Sequence, residues 1–203
     1  MSAEKLKLKK GCRVHPGTIL YEGYAVSDKL ITANVSIDKV RAMMLRFVAM
    51  RDEPVFFILE IPSRGDTETE TSPGVVETLH KDVYYIDGLS KDGTAAVMRR
   101  AGGILVNDGM SSFGFGGHHS GDEIMFGQYN VLTVYTSHPE KYDDLFTAHG
   151  IKRNDDLVTA WDTFTPDTPG DCRLYRVLGK RVYDIPEMLK DQGMYFAERR
   201  ELD

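Results

Sequence analysis

Residues 111–130 read SSFGFGGHHSGDEIMFGQYN. Glycines alternate with Phe113 and Phe115, and His118, His119, Asp122 and Glu123 follow before a second apolar segment. Glycine between aromatic residues marks a strand that another chain segment crosses closely, or a bulge. The run therefore reads as the join between two adjacent strands, with its histidines and acids gathered at one end of a sheet. Residues 124–136 (IMFGQYNVLTVYT) read as one long strand, with a bulge at Gly127.

Working outward, residues 18–26 and 30–35 are rich in β-branched and aromatic side chains, and Ser27-Asp28-Lys29 reads as a hairpin turn. Ser36 opens a helix with Ile37, Val40, Met44, Phe47 and Val48 at helical spacing. Residues 55–61 (VFFILEI) read as a central strand buried on both faces. The polar, Gly- and Pro-bearing stretch 63–77 is an expected exposed loop. A strand at 82–86 leads to a helix capped by Ser90, ended by Gly102-Gly103 and followed by a strand at 104–107.

Downstream, Ser137 and Glu140 have capping-box spacing around Pro139, so a helix should carry Tyr142, Leu145, Phe146 and His149. A short helix is expected over 154–164, with Trp161 facing inward. A hairpin follows over 172–184 around Leu178-Gly179, then a helix from Pro186 to Gly193. A strand at 194–197 and a frayed tail at 198–203 close the chain.

Strands and helices do not alternate strictly. That order predicts one α+β domain over residues 1–203, with a mixed or mostly antiparallel sheet and four to five helices packed on it. Helix-then-strand units at 37–61 and 91–107 admit a reading as two weakly similar α/β units.

The 203 residues are 41% hydrophobic and 28% charged, with a net charge of -6. This is the composition of a folded, soluble protein. No stretch reaches the ~20 apolar residues of a membrane span. The first residues, MSAEKLKLKKGC, lack the apolar core of a secretory signal. Cys12 and Cys172 therefore read as reduced thiols of a cytoplasmic protein. Residues 1–11, with Lys5, Lys7, Lys9 and Lys10, read as a flexible basic arm. The acidic balance and the lack of any nucleic-acid module argue against nucleic-acid binding.

Three constellations could carry chemistry. His118, His119, Asp122 and Glu123 supply ligand types for a divalent metal, with a further ligand needed from His80, Asp108 or His149. Adjacent histidines do not share a face as those of HExxH do. Phe113, Phe115, Gly116 and Gly117 offer a backbone that a small ligand could approach. They lack the GxGxxG spacing and no helix start follows them. Trp161 is a core residue or the anchor of a pocket or partner surface.

No nucleophile elbow or reactive-cysteine setting is present. The expected function is therefore non-enzymatic, through binding a protein partner that an acidic surface suits to be cationic. An immunity or antitoxin-like role is an analogy for such a compact acidic chain. A homodimer is a further arrangement the sequence allows. The alternative is a metal-assisted hydrolase or a small-ligand binder centred on residues 111–130.

Overall fold

The computed structural model describes residues 4–63, 70–72, 75–76 and 80–201. The fold is α+β. Its centre is an eight-stranded sheet in which every neighbouring pair is antiparallel. A short pair, β1 (Cys12–Arg13) and β11 (Asp171–Cys172), lies apart from it. Another small pair joins β5 (Glu70–Ser72) and β6 (Val75–Val76).

The large sheet begins with the hairpin of β2 (Gly23–Ser27) and β3 (Leu30–Asn34). Helix α1 (Ile37–Ala49) leads to β4 (Val55–Pro62), which pairs with β7 (His80–Leu89). Helices α2 (Lys91–Arg100) and α3 (Gly102–Leu105) lead to β8 (Ser112–Gly117), β9 (Glu123–Phe126) and β10 (Val131–Tyr135). After α4 (Asp143–Thr147) and α5 (Ile185–Met188), β12 (Tyr195–Glu201) closes one edge. The strand order is β12-β7-β4-β8-β9-β10-β3-β2.

Alternation along each strand sorts the two faces. Phe57, Leu59, Phe113, Phe115, Ile124, Phe126, Leu132 and Val134 are buried in one core with Val40, Met44 and Phe47 of α1. Val97, Met98, Leu145, Phe146 and Ile185 from the other helices join them. The opposite face carries Glu60, Ser112, Glu123, Met125, Thr133 and Tyr135 and stays open over its middle. A smaller cluster of Leu6, Cys12, Leu20, Tyr129 and Ala160 sits at one end.

Several elements differ from the sequence expectation, each for a physical reason. The stretch 124–136 is two strands. Tyr129 and Asn130, at φ 51 and 65, turn the chain back on itself, and the Asn130 side chain binds three backbone groups there. The expected strand at 104–107 is the short helix α3, because Ala101 stays helical and its carbonyl accepts the Ile104 and Leu105 amides. Residues 154–164 do not form the expected short α-helix, and Trp161 is exposed rather than turned inward. Asn154 and Arg153 pair with Tyr24, and only Trp161–Thr163 makes a 3-10 turn.

Ser137 makes no cap. The His138 amide instead donates to Thr136 Oγ1 ahead of a 3-10 turn, Pro139–Tyr142. The hairpin expected over 172–184 shrinks to a Val177–Lys180 bridge, because Cys172 pairs with Cys12. Residues 198–201, expected to fray, belong to β12, where Arg199 and Arg200 pair with Asp82 and Glu60. Residues 4–11 do not form a free arm. Leu6 and Lys9 are buried, and Lys7 pairs with Asp38. Most of the expected loop 63–77 lies outside the described residues.

Candidate functional site

The open face of the sheet holds a trough of about 630 Å³. A second hollow of about 440 Å³ shares Glu60, Lys81, Ser112, Gln128 and Trp161 with it. Its floor is built by side chains one face up on β4, β8, β9 and β10. Ser112 leads a strand whose next outward positions are Gly114 and Gly116, so the floor is low there. A Cβ at Gly116 would collide with the Phe56 ring, and one at Gly114 with the Ile124 carbonyl. The trough runs the length of β9, four residues, which is about 13 Å at a strand's rise per residue.

Its polar groups are unevenly paired. Glu60 accepts Lys81 Nζ at 3.0 Å and Arg200 Nη1 at 3.2 Å. These are long side chains laid across the sheet from β7 and β12. Glu123 has no ion-pair partner among the described residues. Burial pushes its carboxyl above the ordinary glutamate range, the Glu60 charge pushes it further, and the Arg200 charge opposes both more weakly. A carboxylate in that state gains from any cation brought to it. At the two ends, Trp161 and Tyr135 stand 52% and 51% exposed. Trp161 is held edge-on by Tyr129 at 4.9 Å and by Phe164 at 5.5 Å.

The metal candidates are dispersed. Gly117 N–H donates to the Asp122 carbonyl at 3.0 Å, which closes a tight loop between β8 and β9. His118 leaves this loop toward Asp87, 3.5 Å away, with its ring against Phe56. His119 is exposed. Asp122 turns the other way, into the helix layer, where Tyr142 donates to it at 2.8 Å and Arg51 pairs with it. Burial would raise the Asp122 carboxyl, but hydrogen bonds from Thr136 and Tyr142 and the Arg51 charge win and hold it below the usual range. Glu123 alone faces the trough.

Of the further ligand candidates, His80 is buried with its Nδ1 lacking a hydrogen-bond partner among the described residues, and the other two are committed. Asp108 accepts the amides of Met110, Ser111 and Tyr175, and His149 Nδ1 lies 2.8 Å from the Leu145 carbonyl. Among the described residues, no three His, Cys, Asp or Glu side chains are grouped to hold a metal ion. Phe113 and Phe115 are fully buried in the core. Gly116 and Gly117 lie under Phe56 and beside Ser120 and Arg51. Of the proposed ligand-binding residues, Trp161 reaches the trough.

Sequence reasoning missed Glu60, Lys81, Arg200 and Tyr135. A signal existed for the first, since Glu60 is the one charged residue in VFFILEI. Lys81 and Arg200 join the site only through strand pairing across 119 residues of chain, which no local pattern shows. Compared with known proteins, the chain matches no family model, no curated protein and no solved structure. No helix among the described residues is long and apolar enough to cross a membrane.

Proposed function

We propose that the protein works by binding a partner polypeptide, and that the open sheet face receives an extended, basic segment of it. The observation that carries this reading is Glu123, a half-buried carboxyl with no ion-pair partner among the described residues, in a trough flanked by exposed aromatic side chains. A Lys or Arg of the partner would supply the missing charge. Tyr135 and Trp161 would pack against its neighbours, as such residues do at energetic centres of interfaces. The net charge of -6 favours encounter with a basic partner. The length of β9 suits about four residues of extended chain.

The test is titration of the protein with a library of short peptides bearing Lys or Arg at alternate positions. Binding is read from the Met125 methyl and Trp161 indole signals in NMR spectra. The expected result is saturable shifts at both, with affinity reduced about tenfold in Glu123→Gln, the loss of roughly one charge-assisted hydrogen bond. Equal affinity for the wild type and Glu123→Gln, or no shift with any peptide, would overturn the reading.

A further inference from the structure

We propose that Cys12 and Cys172 form a thiol–disulfide exchange site, which takes a small anionic disulfide through the cavity beside Cys12 and closes to an internal disulfide. This site is separate from the open sheet face. The two cysteines are direct partners across β1 and β11, and their sulfurs lie 3.1 Å apart as free thiols. The Arg173 amide donates to the Gly11 carbonyl at 2.8 Å just beyond them. Cys12 and Cys172 therefore occupy the narrow, non-hydrogen-bonded kind of pair, whose Cα atoms typically stand about 4.5 Å apart. That spacing lies inside the range of about 4.4–6.8 Å that a disulfide accepts.

The surrounding backbone holds the pair in place. A Cβ at Gly11 would collide with the Gly109 amide, and one at Gly109 with the Gly11 carbonyl. Gly109 N–H also donates to the Arg173 carbonyl at 3.1 Å. Three chain segments thus cross here with no side chain between them, which holds the two sulfurs 3.1 Å apart.

The two sulfurs are not equivalent. Cys12 Sγ accepts the Tyr129 amide at 3.4 Å. The hydrogen bond from Cys172 lowers the Cys12 thiol below its ordinary range against the cost of burial, and the Tyr129 amide and Lys9 charge assist. Cys172 is pushed up, by its hydrogen bond to Cys12 and then by burial. Cys12 also lines a cavity of about 330 Å³ with apolar walls at Leu6, Leu8 and Leu20 and cations at Lys5 and Arg13. Cys12 is the attacking thiolate and Cys172 the resolving thiol, and the cations select a negatively charged disulfide.

The exchange balances in two steps. The Cys12 thiolate attacks one sulfur of the small disulfide. Its S–S bond breaks, a mixed disulfide forms on Cys12, and one small thiolate leaves. Cys172 then loses its proton and attacks Cys12 Sγ, which forms the internal bond and expels the second small thiolate. The protons of the two cysteines end on the two leaving thiols. The protein loses two electrons, and the small disulfide gains them.

The probe is oxidised glutathione, added to the full folded chain, followed by thiol blocking and intact mass measurement. The expected product has lost two hydrogens, both free thiols and no others, and carries no glutathione. Dithiothreitol restores both thiols. In Cys172→Ser, one glutathione stays on Cys12, whereas Cys12→Ser gains none in the same time. Wild-type protein that keeps both thiols, or that retains glutathione without closing, overturns the proposal. Should either variant fail to fold, as judged by circular dichroism, the wild-type mass and thiol count still decide.

Discussion

Three buried polar side chains set local behaviour, each in a different way. Asn130 is wholly buried in the left-handed region, where Asn is tolerated better than most residues. Its amide donates to the Lys7 and Val35 carbonyls and accepts the Lys9 amide at 2.7 Å. Asn130→Ala orphans the Lys9 amide and the Val35 carbonyl, while the Lys7 carbonyl keeps the Ile37 amide, and should cost about 3 kcal/mol in urea unfolding. Asp122 and Arg51 are 10% and 9% exposed, so their pair is screened little by water. Asp122→Asn leaves a buried guanidinium without its counter-charge and should cost about 3 kcal/mol at pH 7. The sign with pH follows from the lowered carboxyl. Its contribution is complete above the unfolded value near 4 and is lost as pH falls through the folded value. The wild-type advantage over Asp122→Asn should therefore shrink in acid, and a constant difference from pH 7 to pH 2 would refute that assignment. Lys9 is 1% exposed, its ammonium 3.0 Å from the Gly127 carbonyl and 4.7 Å above the Phe126 ring. Its charge favours the Cys12 thiolate. In a Cys172→Ser background, Lys9→Met should slow iodoacetamide alkylation of Cys12 several-fold at fixed pH.

At the scale of elements, what was legible in sequence depended on where the deciding interactions lie. Helix α1 follows its local periodicity, although Ser36 makes no cap and its hydroxyl accepts the Lys7 amide instead. The hairpin forms as well, with β2 starting at Gly23 rather than Thr18 and Asp28-Lys29 alone as its turn. The Ser90 cap occurs where the pattern puts it, and its hydroxyl accepts the Gly93 amide at 3.1 Å. The alternation FGFG was also readable as a strand closely crossed by a neighbour. The partner that crowds Gly116, Phe56 on β4, was not, because its register is set across the sheet. The reversal at 127–130 was missed because Asn130 takes its partners from Lys7, Lys9 and Val35, far away in sequence. The same holds for the site. His118, His119, Asp122 and Glu123 are neighbours in sequence, but the loop and strand pleat send Asp122 into the helix layer and Glu123 onto the open face. Gly116→Ala tests the crossing directly. The added methyl meets a ring fixed between Tyr85 and His118, so it should destabilise by about 2 kcal/mol, within the usual cost of overpacking.

At the scale of the whole molecule, one sheet separates two environments. Among the described residues, helices α1 to α5 cover one face, which holds the main core. The other carries Glu123, which has no ion-pair partner among the described residues. A site kept for binding often costs stability in the free protein, and Glu123 allows that idea to be measured. Its carboxyl is raised in the folded state. The stabilising contribution of its protonated form is therefore complete below the unfolded value and lost as pH rises through the folded one. At pH 7 the ionised group works against the fold, so Glu123→Gln should melt at a higher temperature than the wild type. The gap should close as pH falls toward about 3, below the unfolded value, where Glu123 is protonated in both states. The same variant should bind basic peptides more weakly, and the wild-type affinity should drop with added salt, since part of the trough is open to solvent. Stability gained and affinity lost at one position would mark Glu123 as held for a partner's cation. A variant less stable at pH 7 would instead make Glu123 part of the fold's own support and would remove the basis for a cationic partner.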